Sequence, residues 1–264
     1  GSEMCIRDRY NNKKIRKFEN KNVKKKSKAV RGVLFFLCVV AICLGLYAIF
    51  NLSYFNVTEI LVIGNNHYTQ DEVVESSKIT VGENMFGQAL FKGSKGVLDL
   101  PYVESAKIKL GIPNKIKIVI KERESTYYAY DKEKNIYYRL TSEGIILEEA
   151  KSRNEGEIIL NGVAFDSDVK FGEKISEIYL AKLRIYEEIK KEYEKSNISL
   201  PITKVSFENS LTSITLNDKL TVIFPELNNL KYNIAFLGGI IKNIGEDSVG
   251  VIDLNKENPT FSNF

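Results

Sequence analysis

An uncharged run from Val33 to Phe50 (VLFFLCVVAICLGLYAIF) constrains this chain more than any other feature. Extended to Gly32 and Leu52 it holds about 20 residues, which as a helix rising ~1.5 Å per residue matches the ~30 Å hydrocarbon core of a bilayer. Nothing else in the sequence is comparably apolar. The run predicts one transmembrane helix over 32–52, with a short piece on one side of a membrane and a large piece on the other.

Charge sets the expected orientation. Residues 1–31 hold 12 Lys/Arg against 3 Asp/Glu, out of 38 and 34 in the whole chain, so the remainder holds 26 against 31. Basic residues flanking a first hydrophobic span stay cytoplasmic, which predicts a cytoplasmic N-terminal arm and an extracytoplasmic C-terminal part. A cleaved signal peptide fits poorly, because the run is longer than a typical h-region and Asn51–Phe55 offers no small-x-small cleavage site. The arm is expected to touch anionic membrane lipid, and no nucleic-acid partner is expected. The first nine residues, GSEMCIRDR, differ in composition from the Lys/Asn-rich sequence that follows and take no part in the functional reading.

Cysteine and histidine usage removes whole classes of chemistry. Cys5, Cys38 and Cys43 all lie in the arm or the span, so the outer part has no disulfide and no thiolate nucleophile. His67 is the only histidine. A Ser-His-Asp triad or a histidine-rich metal site would have to be built around it, yet it sits in Gly64-Asn65-Asn66-His67-Tyr68, which reads as a polar loop. No cofactor, metal or catalytic residue is expected.

The outer part is long enough for two domains. Val57–Ile63 alternates as a half-buried strand does, and Thr69-Gln70-Asp71-Glu72 has the form of a capping box opening a short helix. Gly82–Phe86 reads as a turn with an apolar anchor, and a second helix is expected from about Gln88 to Leu98. Val103–Leu110 and Lys115–Lys121 alternate with period two around the hairpin-type connection Gly111-Ile112-Pro113-Asn114. These five elements predict a small α+β unit over 55–124. Beyond it, short strands are expected at Thr126–Tyr130, Ile136–Leu140, Ile145–Leu147, Ile158–Leu160, Lys204–Phe207, Leu211–Leu216 and Leu220–Phe224. Apolar residues at spacings of three and four predict helices over Ile175–Tyr193 and Glu226–Ile244, the second including Leu227. Ser248–Leu254 reads as the last strand of a β domain over 125–254, and 255–264 as a flexible tail.

The order of basic arm, single span, FNVTEILVIGNNHYTQDEV, GENMF, LPYVESAKIKLGIPNKIKIVIKERE and a terminal VIDL resembles the bacterial cell-division family FtsQ, called DivIB in Gram-positive organisms. The resemblance runs from Lys13 to Leu254 and is most specific over Phe55 to Glu124, which looks like the FtsQ-type POTRA domain. Two departures stand out. The family commonly places a proline after the strand-ending Glu-Arg pair, where this chain has Glu124-Ser125. In addition, IILNGVAF keeps only part of the family's usual pattern. The resemblance implies a single-span membrane protein with an extracytoplasmic α+β POTRA domain and a mixed, mainly antiparallel β domain with helices. It implies a non-catalytic assembly factor at the division septum that binds FtsL-type and FtsB/DivIC-type single-span proteins and helps regulate septal peptidoglycan synthesis.

Asp166 with Asp168, and Glu122 with Glu124, are the conspicuous carboxylate pairs. A glycosidase needs two carboxyls across a sugar cleft, but Asp-Ser-Asp suits a turn and the glutamates end a charged strand. Gly93-Ser94-Lys95-Gly96 lacks the spacing of a phosphate loop. Binding is therefore the expected function. A terminal edge strand offers unpaired backbone groups to which a partner can add a strand. The resemblance points to that strand and the helix before it, which here means Val249, Val251, Ile252, Asp253 and Leu254, with Tyr232 and Phe236. The alternatives are a membrane-anchored POTRA protein in transport or sensing, and a cell-wall hydrolase.

Overall fold

The computed structural model describes residues 30–154, 156–208, 211–225, 229–256 and 259–263. The basic arm up to Ala29 lies outside them, as do Glu226 and Leu227 of the expected second helix. Helix α1, Val30–Asn51, carries the apolar run and is long and apolar enough to cross a membrane. Its side chains are exposed almost throughout, and both cysteines on it are free. An isolated helix that is hydrophobic all round has bilayer as its natural surroundings.

The small sheet domain follows the pattern of its sequence. Strands β1 (Glu59–Ile63), β2 (Val103–Gly111) and β3 (Lys115–Glu122) form a three-stranded sheet in the order β1-β3-β2. In the central strand, Ile116, Ile118 and Ile120 are buried and alternate with Lys115, Lys117, Val119 and Lys121, as period two demands. Helix α2, Gln70–Ser77, starts at the expected capping box: Glu72 N–H donates to Thr69 Oγ1 at 3.3 Å, and Thr69 N–H donates to Glu72 Oε2 at 2.7 Å. Such a cap stabilises a helix by about 1 kcal/mol.

The expected helix Gln88–Leu98 is instead two short ones, α3 (Met85–Phe91) and α4 (Ser94–Leu98). The break falls at Gly93, whose φ of +106° a side chain would strain. Gly96 then lets α4 approach α2, since a Cβ there would lie 2.1 Å from the Ser76 carbonyl oxygen. The positive φ of Gly93 and the close approach at Gly96 account for the glycines of the Gly-Ser-Lys-Gly run. Gln88 is buried, and its side-chain amide closes both backbone groups of Thr80, accepting from N–H and donating to C=O at 2.6 Å each.

Among the described residues, the second sheet has nine strands in the order β12-β11-β10-β9-β8-β7-β4-β5-β6. They are β4 (Tyr127–Asp131), β5 (Ile136–Leu140), β6 (Ile146–Ala150), β7 (Ile158–Asn161), β8 (Ile202–Ser206), β9 (Thr212–Leu216), β10 (Leu220–Phe224), β11 (Gly250–Asp253) and β12 (Thr260–Asn263). Most neighbours pair antiparallel, while β4–β7, β7–β8 and β10–β11 are parallel. Two of the parallel pairs, β7–β8 and β10–β11, match the long crossovers that contain α5 (Glu177–Glu194) and α6 (Leu230–Ile244), and β4 reaches β7 through the hairpin strands β5 and β6. A parallel neighbour needs a connection long enough to return the chain. Leu180, Leu183, Tyr186, Ile189 and Tyr193 of α5 join Ile234, Leu237 and Ile241 of α6 in one core with the sheet residues. Each such aliphatic side chain contributes roughly 1.5–3 kcal/mol through burial.

Two compact units divide the chain. One runs to Ile60 and adds Ile79–Phe91 and Lys109–Lys117; the other takes Leu61–Lys78, Lys92–Ile108 and Ile118–Phe264.

Candidate partner-binding edge

The far end of the large sheet differs from expectation in one respect that bears on function. The sequence reading places Ser248–Leu254 at the sheet edge with a flexible tail beyond it. The structure corrects both points. Residues Thr260–Asn263 form β12, which pairs antiparallel with β11 along its length: Gly250 with Asn263, Val251 with Ser262, Ile252 with Phe261 and Asp253 with Thr260. Strand β11 lies between β10 and β12, and β12 is the outermost strand. The signal for this was Gly250. A Cβ at that position would lie 2.3 Å from the Ser262 carbonyl oxygen and 2.9 Å from the Phe261 ring, so only glycine lets β12 come this close.

The seven residues singled out from the sequence divide by the alternation of the strand. Ile252 and Leu254 face the core, at 0% and 6% exposure, whereas Val251 and Asp253 are half-buried and Val249 is exposed. Helix α6 leads into β11 through Gly245, whose N–H donates to the Ile241 carbonyl at 2.8 Å, and Ser248 Oγ donates to the Ile244 carbonyl at 2.7 Å. Tyr232 and Phe236 stand one turn apart on the helix face opposite the core. Their rings stack with centroids 6.1 Å apart and planes 16° apart, and Tyr232 is 68% exposed. Exposed stacked aromatics carry apolar area at low entropy cost, which suits them to contact another protein.

Sequence reasoning also missed a groove beside this helix. An open cavity of about 1000 Å³ runs between the end of α5 and α6, with Ile198, Ile234, Gly238 and Ile241 on its floor and Lys231 and Lys242 among its rim residues. Its walls come from two elements far apart in sequence, so no local pattern announces it.

The carboxylate pairs take structural positions. Asp166 and Asp168 are exposed in the loop after β7. Glu122 accepts three backbone hydrogen bonds, from Asn66 N–H at 2.8 Å, His67 N–H at 2.7 Å and Tyr68 N–H at 3.1 Å. Successive N–H groups aimed at one carboxylate form an anion nest, here filled from within the fold. The adjacent Arg123 holds the carbonyls of Pro101 and Val103 at 2.6 and 2.5 Å. The His67 ring stacks on Tyr102 with centroids 3.7 Å apart. Among the described residues, no three His, Cys, Asp or Glu side chains gather as a metal site would require.

The buried tyrosines behave as core residues with a polar end. Burial pushes the Tyr127 hydroxyl well above the usual tyrosine range, helped by its hydrogen bond to Glu187. Burial also raises Tyr102, Tyr186 and Tyr193, and the last donates to the Leu200 carbonyl at 2.7 Å.

Comparison with known proteins gives the following. Residues 55–123 match the family model of the FtsQ-type POTRA domain. The cell division protein DivIB of Clostridium acetobutylicum is 29% identical over 225 residues, 84% of this chain and 88% of that protein. DivIB of Clostridium botulinum strain Hall is 31% identical over 146 residues, 54% of this chain and 56% of its own. DivIB of Bacillus subtilis is 27% identical over 139 residues, 52% of each.

Proposed function

We propose, from the premise that this chain carries an FtsQ-type POTRA domain and resembles the FtsQ/DivIB family over most of its length, that it is a non-catalytic assembly protein of the bacterial division machinery. The observation that carries this reading is the set of relatives named cell division protein DivIB, one of them aligned over 84% of the chain. The mechanism is tethered recognition. Helix α1 confines the outer domains to the membrane surface, where single-span partners of the FtsL and FtsB/DivIC types are held at high effective concentration. The N-terminal arm lies in the cytoplasm against anionic lipid, and the outer domains act at the septum, where the assembled complex helps regulate peptidoglycan synthesis.

Partner recognition belongs to the β11–β12 end of the large sheet, together with Tyr232 and Phe236. What supports this is an outermost strand, β12, whose outer backbone groups face away from the sheet, together with an exposed aromatic pair on α6, the helix that leads into its neighbour β11. Strand addition onto β12 draws affinity from backbone hydrogen bonds and selectivity from alternate side chains, with Val249, Val251 and Asp253 one strand further in as flanking contacts. The test is co-purification from dividing cells, with a fluorescent fusion imaged in parallel. The wild-type chain is expected at the septum and in complex with small single-span proteins. Val251→Asp is expected to lose them while circular dichroism of the outer part stays unchanged. Uniform membrane fluorescence without such partners would refute the division role, and retained binding by the folded variant would refute the edge assignment.

A further inference from the structure

The end of the small domain nearest α1 exposes apolar side chains that the division reading does not use. Three segments meet there, all in the unit that contains α1. The first is the chain leaving the helix, where Phe55 sits 5.3 Å from Phe86 and Phe50 sits 6.5 Å from it, ring centroid to centroid. The second is the turn and helix Ile79–Phe91, which Asn84 ties to α1 by donating from Nδ2 to the Ile49 carbonyl at 2.9 Å. Val57 continues the link, accepting from Gly82 N–H and donating to the Glu83 carbonyl, both at 2.8 Å. The third is the hairpin turn before β3, where the Asn114 carbonyl accepts from Thr58 N–H at 2.8 Å.

These segments carry Tyr54, Val81, Leu90, Phe91 and Ile112. Phe91 is 81% exposed and Ile112 71%. Scattered exposed apolar residues need no account, but a group on segments bonded to the exit of an apolar helix does. Helix α3 is only about 10 Å long, so its far end cannot lie far from the Phe50–Phe86 contact. The hairpin bearing Ile112 is flanked by the exposed lysines Lys109 and Lys117, the complement of an anionic headgroup layer.

We propose that this end of the domain is a membrane-docking surface: Phe91, Leu90, Val81 and Ile112 enter the headgroup region of the leaflet from which α1 emerges. The occupant is the bilayer itself, because the surface is continuous with α1, the helix that among the described residues is long and apolar enough to cross it. The small domain then rests on the membrane and does not swing on a tether. Residues 52–58 are too short and too well bonded to serve as one.

The chain has no tryptophan, so a single introduced one reports without background. The full chain is placed in nanodiscs of phosphatidylcholine and phosphatidylglycerol with plain or brominated tails. Three variants are compared, Phe91→Trp, Ile112→Trp and, on α6, Tyr232→Trp. The first two are expected to emit further to the blue than the third and to be quenched severalfold more by bromine. Water-like emission from Phe91→Trp with no more quenching than Tyr232→Trp would overturn the proposal. So would blue-shifted emission that brominated lipid leaves unquenched, which would mean burial against protein, including a second copy of this chain. Neither result bears on septal partners, so the division reading stands or falls separately.

Discussion

Replacing Glu122 should loosen the small domain at one defined loop. Its carboxylate closes three consecutive N–H groups, those of Asn66, His67 and Tyr68, between 2.7 and 3.1 Å, with Oε2 taking two and Oε1 one. Hydrogen bonds to a charged acceptor are worth roughly 1.5–3 kcal/mol each when buried. Here the loop is largely exposed, so water replaces part of each bond and the sum must be discounted by half or more. Glu122→Gln keeps the shape but removes the charge and turns one acceptor into an NH2 that opposes a backbone N–H. A loss of about 2 kcal/mol follows, and about 2–4 kcal/mol for Glu122→Ala. In a folded part of this size, each kcal/mol moves the melting temperature by about 2–4 °C, so Glu122→Gln should melt about 4–8 °C lower. Glu124 is exposed two residues further on and makes a matched control, Glu124→Gln, which should change little. Hydrogen exchange should localise the effect, with faster exchange at Asn66, His67 and Tyr68. If Glu122→Gln melts with Glu124→Gln and those three amides keep their protection, the clamp is not a stabilising element and the reasoning fails.

Two further outcomes follow from burial and close packing. Burial raises the hydroxyls of Tyr102, Tyr127, Tyr186 and Tyr193, so in the folded state they keep their protons past the pH near 10 where the unfolded chain releases them. Stability should therefore be flat with respect to these groups below about pH 10 and fall above it, read as a declining urea midpoint; a midpoint unchanged to about pH 11 would refute this. Gly250→Val should expel β12, because the new Cβ meets the Ser262 carbonyl oxygen at 2.3 Å. Exchange at Thr260–Asn263 should rise to free-chain rates while Leu220–Phe224 stays protected, and protection at both would show that β12 tolerates a side chain there.

Much of the local structure was legible from residue order. Thr69 and Glu72 announce a capping box that forms as read, and the Lys-Ile alternation of β3 gives its buried face. The stripes Leu183–Tyr186–Ile189 and Ile234–Leu237–Ile241 give two helices with their core faces. The break between α3 and α4 falls in Lys92–Gly96, a run with two glycines and no large apolar side chain that the single-helix reading overran, and the φ of Gly93 shows where the helix must stop. Of the candidate site, Tyr232, Phe236 and the alternation of 249–254 could be read locally, whereas the strand that covers β11 could not. TFSN carries no strong strand pattern, and its place depends on a glycine ten residues earlier meeting a backbone that only folding brings near.

The sequence alone determined what depends on near neighbours along the chain: an apolar run long enough for a bilayer, a charge step across it, caps, helical stripes and a period-two hairpin. The tertiary structure decided what depends on distant partners: the order of nine strands, the parallel β10–β11 pair, Glu122 closing a loop 54–56 residues away, and the groove between α5 and α6. The division has a physical cause. Turns and amphipathic periods are fixed by interactions within a few residues, whereas strand order, nests and grooves arise only when chain entropy has been spent to bring remote segments together.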